Sequence, residues 1–394
     1  GIAVVVLHRV LMRAIPTVLL ILCFLVPLNL VRGLLKAAAY DPRDFDSKPL
    51  AARLPQPRRT PRLVWVIFDE WDARLTFRDR IPSLQMPALD RFEAISLHAG
   101  NAYPPSSQTG MSLPALTTGL LVRDAKPQGP DDLLLLRPEP NPSLHWHAVL
   151  TIFSEARAAG YNVAVAGFYH PYCRMFNGSL SECSWWPTAL QYNSNGATFA
   201  EVVPHQIRSI FETDSRSLFG QALGVREHGH IQQQGMAAAQ RLVRDPDLGV
   251  VFIHLPVPHP PFAYDRKTGR FDSPSPYNGY WDNLALLDRV VGQLRSAMEA
   301  ANLWDSTNVL LSADHWNRAS VLLDGKIDHR IPFLLKLAHQ NQGVAFDQPF
   351  NTVLSHDFVT AILHGEVTTT QAAADWIERH RTIADSPYST DFIP

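Results

Sequence analysis

Four short stretches of this chain carry residue types that can hold a metal ion or attack an electrophile. Asp69 and Glu70 follow the apolar run 63–68. The stretch 103–119 is rich in hydroxyls: Ser106, Ser107, Thr109, Ser112, Thr117 and Thr118. His254 and His259 flank Leu255-Pro256-Val257-Pro258, and Asp314-His315 closes a second apolar run, with His329 beyond it. Carboxylates beside imidazole suit a divalent transition ion, Zn²⁺ first and Mn²⁺ second. A hydroxyl on such an ion has its pKa lowered and becomes a nucleophile. A hydroxyl at the start of a helix also meets backbone N–H groups that favour a covalent intermediate carrying an anion. Each stretch alone has a plainer reading. Asp69-Glu70 can open a helix, Asp314-His315 can sit in a surface turn, and His254 can be a buried, hydrogen-bonded strand residue. The hydroxyls can simply cap a helix, and composition does not select among them. Two charged residues directly after six apolar ones are nevertheless costly unless solvated or bound to a cation. His259, past the strand end and stiffened by Pro260-Pro261, ranks above His254 as a functional residue.

These side chains need a scaffold that brings them together. The run 63–68 is continuously apolar, as expected for a strand covered on both faces. Strands are also expected at 162–168, 250–255, 308–312 and 331–337. Helices are expected at 148–159, at 280–302 with an apolar stripe, and at 371–380 behind a Thr-rich cap. Alternation of this kind predicts an α/β fold, a mostly parallel sheet sandwiched by helices. In such sheets ligands bind beyond the carboxyl ends of the strands, where Asp69 and Asp314 fall. Residues 124–147 and 171–200, rich in Pro, Asn and Ser, read as long excursions of the kind that shape substrate sites.

The 394 residues, 46% hydrophobic, suit one large α/β domain with appendages. A net charge of −2 without a basic stripe gives no reason to expect nucleic acid. The chain starts on Gly1 inside an apolar segment, which reads as part of a longer membrane region. No charged residue occurs from Ala14 to Val31, enough for one transmembrane helix. The organisation expected is a membrane segment at 1–37, a Pro- and Arg-rich linker at 38–61 and a catalytic domain at 62–394. Arg9 and Arg13 before the span and Arg32 and Lys36 after it nearly cancel as orientation signals. Cys173 and Cys183, the only cysteines outside the apolar segment, bracket a short Gly- and Ser-containing stretch. A disulfide between them, rather than two thiols, is expected. The catalytic domain is therefore expected on the outer side of a cytoplasmic membrane.

The ordered set resembles the alkaline phosphatase superfamily, and within it the sulfatase-like branch, which includes membrane-anchored phosphoethanolamine and phosphoglycerol transferases. The pieces that carry the likeness span 62 to about 365. They are Val66-Ile67-Phe68-Asp69-Glu70, the Thr-x-x-Ser-x-Pro pattern of Thr109, Ser112 and Pro114, His259-Pro260-Pro261, a helix containing Asp288, Ser312-Ala313-Asp314-His315, and His329-Arg330-Ile331-Pro332. The resemblance implies Thr109 as nucleophile. It implies Asp69, Glu70, Asp314 and His315 holding a divalent metal, zinc or manganese, against the Thr109 oxygen. It implies His259 and His329 binding the transferred group or a second ion. It further implies phosphotransfer through a phospho-threonine, from a lipid or other phosphoester donor to an alcohol acceptor or water. A sulfuric ester hydrolase and a non-catalytic binding domain are the alternatives. Two departures bear on this. Sulfatases carry Cys or Ser where Thr109 stands, followed by Pro and Arg that this chain lacks, and a Thr cannot become formylglycine. Trp316 stands where the family usually has Gly.

Overall fold

The computed structural model describes residues 48–129, 131–138, 143–187, 218–271 and 279–381, with parts of 14–35. The chain forms two compact units, one of Gly1–Asp46 with Ser194–Gly196 and one of Ser47–Asn193 with Ala197–Pro394. In the first, residues 14–20 are helical. Much of the expected span 14–31 and half of the linker lie outside the described residues. Among the described residues no helix is long and apolar enough to cross a membrane.

All the chemistry described below belongs to the second unit. Along the chain its strands are β1 (Arg62–Phe68), β2 (Leu97–Ala99), β3 (Ala102–Tyr103), β4 (Asp124–Pro127), β5 (Leu133–Leu136), β6 (Leu144–His145), β7 (Val163–Phe168), β8 (Glu182–Trp186), β9 (Val250–Leu255), β10 (Thr307–Ala313), β11 (Phe333–Lys336) and β12 (Val344–Phe346). Its helices are α1 (Pro87–Glu93), α2 (Thr109–Thr118), α3 (Ile152–Ala158), α4 (Tyr172–Met175), α5 (Leu218–Val243), α6 (Gly279–Ala300), α7 (Val321–Asp324), α8 (Ser355–His364) and α9 (Thr370–His380).

Eight strands form the main sheet, in the order β12-β2-β11-β10-β1-β9-β7-β8. The five from β10 to β8 run parallel. Every residue of β1, β7, β9 and β10 is buried, which is why these segments read as unbroken apolar runs rather than alternating ones. The strand expected at 331–337 does form, as β11, but it runs antiparallel to β10, so the sheet is mixed at that edge. The excursion 124–147 builds its own antiparallel sheet, β4-β5-β6. In the excursion 171–200, Tyr172–Met175 form α4 and Glu182–Trp186 the edge strand β8, and residues 188–200 lie outside the described residues. Residues 48–61 of the expected linker pack onto this unit. Arg58 N donates to Gly160 O at 2.8 Å, and Leu54 N donates to the Asn162 side chain at 2.9 Å.

Two helices matter for the site. In α6, Asp288 accepts from Leu89 N at 2.7 Å; its role is to fasten α6 to α1. In α2, Pro114 lies inside the helix and Gly119, at φ 70°, ends it in the left-handed conformation.

Candidate metal and nucleophile site

The sheet register assembles the site. On the paired strands β1 and β10, Phe68 stands opposite Ala313, so Asp69 and Asp314 leave adjacent strands side by side. Glu70 then takes a left-handed backbone, φ 62°, unusual for a residue with a side chain. That turn sends consecutive carboxylates different ways. Asp69 points into the site, while Glu70 accepts from Arg318 Nε at 2.9 Å and pairs with its other guanidinium nitrogen at 2.7 Å. The Glu70 backbone still serves the site. Its N–H donates to Asp314 Oδ1 at 3.2 Å, and its carbonyl accepts from the Tyr280 hydroxyl at 2.9 Å.

Asp69, Asp314 and His315 each offer an atom within 4.8 Å of the others, and all three are buried. His315 Nε2 lies 3.4 Å from Asp314 Oδ2 and 3.6 Å from Asp69 Oδ1. Thr109 Oγ1 approaches the same nitrogen at 3.3 Å. The tautomer follows from the partner on the other side of the ring. His315 Nδ1 lies 2.9 Å from the Trp316 carbonyl, which can only accept, so Nδ1 carries the proton and Nε2 turns a lone pair to the cluster. His254 is oriented in the same way. Its Nδ1 donates to Phe168 O at 2.9 Å, and its Nε2 stands 4.0 Å from Asp69 Oδ2.

Asp69 Oδ1, Asp314 Oδ2 and His254 Nε2 are buried without a hydrogen-bond partner among the described residues. Buried acceptors converging on one point, with only the Thr109 hydroxyl to donate among them, are unfavourable unless a proton or a cation lies there. The residues present therefore fit a divalent ion held by Asp69, Asp314, His315 and the Thr109 oxygen.

The electrostatics agree. Burial, then the neighbouring charges of Asp314 and Glu70, pushes the Asp69 carboxyl well above its ordinary value. Burial also acts to raise Asp314, but the imidazoles of His315 and His254 and its hydrogen bonds outweigh it and hold that carboxyl low. Burial drives His254 down to about 4 and His170 and His228 to about 3. All three imidazoles are neutral at pH 7.

The structure also selects among the hydroxyls. Ser112 donates to Ser106 O at 2.9 Å, and Thr117 and Thr118 donate to backbone carbonyls of their own helix. Thr109 alone of these turns to the carboxylate and imidazole cluster. It opens α2, whose first turn also carries the N–H groups of Thr109 and Gly110. His170 Nε2 lies 3.4 Å from its carbonyl.

Of the two histidines expected to hold substrate, His259 lies close enough to feel the charges of Glu70, His315 and Asp314. His259 is half-buried, bonds Pro260 O through Nδ1, and lies with its ring 6.1 Å from that of His228. Burial lowers its pKa, opposed by the Glu70 charge. His329 stacks on Trp316, with ring centroids 4.3 Å apart. The departure from Gly at 316 thus places an indole between His329 and the loop that carries His315. The structure also brings His254, His170 and Arg318 next to site residues, of which the motifs pointed only to His254, ranked below His259. The signal for His254 was present: it is the one polar residue in the apolar run 250–255.

The family model of the Sulfatase family matches residues 61–364, and the chain belongs to that family, within the alkaline phosphatase superfamily. Solved structures with the same fold include Ps i-CgsB in complex with k-i-k-neocarrahexaose, at 13% identity and a TM-score of 0.55 over 83% of this chain and 77% of that one. A Bacteroides thetaiotaomicron protein from a locus for metabolism of multiple glycosaminoglycans aligns at 13% identity and a TM-score of 0.54, covering 81% and 80%. The C-terminal periplasmic domain of EcEptC from Escherichia coli aligns at 15% identity and a TM-score of 0.48, covering 80% and 86%. No curated protein sequence matches the chain.

Proposed function

We propose that this protein is a metal-dependent phosphotransferase or phosphohydrolase that works through a phospho-threonine on Thr109. The observation that carries the reading is the placement of the Thr109 hydroxyl 3.3 Å from His315 Nε2, against two orphaned carboxylate oxygens. Zinc is the ion we favour. Carboxylates beside an imidazole would suit zinc, whereas magnesium would call for oxygen ligands throughout. When bound, the ion lowers the pKa of the Thr109 hydroxyl and offsets charge developing on the transferred group.

The chain's own residues do the rest. The fixed tautomer of His315 and the Glu70 N–H hold the ligands in place. The Thr109 oxygen bonds to phosphorus as the P–O bond of the leaving alcohol breaks. Thr109 gives up one proton and the departing alkoxide takes one up. An acceptor alcohol or water then attacks the phosphoryl group and frees Thr109. His259 and His329 flank the centre as binders of the phosphoryl oxygens. Threonine at this position favours phosphoryl over sulfuryl transfer, because it cannot be converted to formylglycine. A lipid donor, an anchor in the membrane at 14–31 and an outward-facing domain complete the proposal. The apolar N-terminal segment and the Cys173–Cys183 disulfide support them.

The test is metal content and turnover of the full chain on a phosphodiester, a phosphomonoester and an aryl sulfate, with Thr109→Ala as control. Phosphodiester turnover with bound zinc, lost in the variant, is the expected result. Aryl sulfate turnover alone, or turnover indifferent to Thr109, refutes the reading.

A further inference from the structure

A cavity of about 270 Å³ opens beside the nucleophile. Gly110, the residue after Thr109, forms part of its wall, and Tyr169, Met175, Trp185, Ala125 and Leu133 form most of the remainder. Its two sides come from the segments read in the sequence as long excursions. One is the β4–β5 hairpin. The other is α4 and β8, fastened to each other by the Cys173–Cys183 disulfide, with Arg174 lying 5.6 Å over the Trp185 ring.

The polar groups of this wall are largely committed. Asp132 accepts from His145 Nδ1 at 2.6 Å and from His147 Nδ1 at 2.8 Å. His170 is turned to Thr109 O and packs edge-on to Trp146 at 4.9 Å. The Tyr169 hydroxyl lies over Gly110, 3.7 Å from where a Cβ would stand, so the glycine keeps this passage open. A sugar needs many hydrogen-bond partners and finds few here. A cavity of this size has room for a short alkyl chain or a phenyl ring.

We infer that this cavity binds an apolar alkyl or aryl ester group on the substrate phosphorus, and that this group stays on phosphorus during transfer. The inference rests on the phosphotransfer reading above. In an in-line displacement the leaving group departs along the axis away from Thr109. Groups that remain on phosphorus stay beside Thr109, and the cavity wall begins at Gly110, the next residue of the helix. The donor is then a phosphodiester with one apolar ester. The bond made is Thr109 Oγ1–P, the bond broken is P–O to the other alcohol, and the apolar ester bond is untouched.

Two measurements on the zinc-loaded full chain test this. The first is kcat/KM for p-nitrophenyl phosphodiesters whose second ester is methyl, butyl, hexyl or phenyl, with p-nitrophenolate as the constant leaving group. Each buried CH₂ is worth about fourfold, so the hexyl ester, five CH₂ longer, should exceed the methyl ester by about 100–1,000-fold, and the phenyl ester should exceed it by a similar factor. That ratio should collapse toward 1 in Ala125→Trp, which fills the cavity, and fall in Trp185→Ala, which removes its wall. The second is binding of phenylphosphonate against methylphosphonate, followed by calorimetry. It should show the same preference and the same loss, and it does not depend on turnover. Thr109-dependent turnover with a flat ester series overturns the cavity assignment and leaves the phosphotransfer reading standing. Absent diester turnover with a retained phenylphosphonate preference does the reverse. Equal binding of the two phosphonates overturns the cavity assignment in either case.

Discussion

Thr109 and His315 are 206 residues apart in the chain, yet Thr109 Oγ1 lies 3.3 Å from His315 Nε2. One starts the helix α2 and the other follows β10. Their meeting point is the place where Asp69 Oδ1 and Asp314 Oδ2 lie buried without a hydrogen-bond partner among the described residues. If the contact is the catalytic one, Thr109→Ala lowers kcat by at least about 1,000-fold. It should weaken zinc binding less than Asp314→Ala does, because Asp314 brings a full negative charge to the ion and a hydroxyl does not. Thr109→Ser, which keeps the oxygen, should retain measurable turnover. Steady-state kinetics with metal analysis of the three variants decides this, and normal activity in Thr109→Ala removes Thr109 from the mechanism.

Asp69 carries a stability consequence of opposite sign with and without metal. Its folded pKa is raised above the ordinary 3.8 by burial and by Asp314 and Glu70. A raised carboxyl contributes stability that is complete below the unfolded value and is lost as pH rises through the folded value. The metal-free protein should therefore lose stability from mildly acid to neutral pH. Asp69→Asn should remove that slope and raise the metal-free Tm at pH 7, by about 2–6 °C, while abolishing activity. Zinc binding needs the ionised carboxylate, so the Tm gain on adding zinc should grow with pH over the same range. Thermal melts at several pH values, with and without chelator, test both signs. A flat metal-free profile would count against the buried, uncompensated carboxylate.

The main sheet was legible because burial on both faces writes itself as unbroken apolar runs. The runs 63–68, 250–255 and 308–312 each became a central strand. The antiparallel sense of β11 was not legible, since an apolar run carries no direction. Nor was the β4-β5-β6 sheet, whose short strands sit among turn residues and are mostly half-exposed or exposed. Within the site, Asp69, Thr109, Asp314 and His315 were readable from their motifs. The divergence of Glu70 toward Arg318 was not, because it depends on one left-handed φ at a residue type that rarely adopts it. His254 was underrated for a different reason. A histidine inside a strand looks like core, and only the register of β9 against β1, Ile67 opposite His254, brings it to Asp69.

That register makes His254 a test of ranking. His254 Nε2 faces Asp69 at 4.0 Å, whereas His329 packs on the Trp316 ring. His254→Ala should lower zinc affinity or kcat by about 10–100-fold. His329→Ala should act mainly on KM, if its part is to hold phosphoryl oxygens. Comparing zinc affinity by competition with a chromophoric chelator separates the two. Equal zinc affinity in wild type and His254→Ala would return His254 to a packing role.

Glu70 is buried and its charge is met by Arg318, whose side chain is 47% exposed. Arg318→Met should leave the Glu70 carboxylate without its cation and cost about 1–3 kcal/mol, read by urea denaturation of the zinc-free protein. Glu70→Gln should cost less, because the amide oxygen can still accept from the guanidinium while the backbone N–H to Asp314 is kept. If Glu70 were instead a metal ligand, Glu70→Gln would weaken zinc binding more than Arg318→Met. The order of the two variants in zinc affinity thus decides which partner Glu70 serves.

The Cys173–Cys183 disulfide closes a span of ten residues between α4 and the edge strand β8. A loop of that size constrains the unfolded chain by about 2–3 kcal/mol. The bond lies at the sheet edge, with β9 and β7 between β8 and β1, whereas the carboxylate cluster sits on central strands. Cys183→Ser should therefore lower Tm by several degrees and raise amide exchange in β8, where Trp186 Nε1 donates to Gln234 at 2.7 Å. Exchange in β1 and β10 should stay slow and zinc content unchanged, because local opening at an edge need not reach the centre of a sheet. Hydrogen exchange with mass readout on the oxidised and substituted proteins distinguishes this from a global loss. Uniformly faster exchange across the sheet would mean that the disulfide supports the whole unit rather than the edge that carries Trp185.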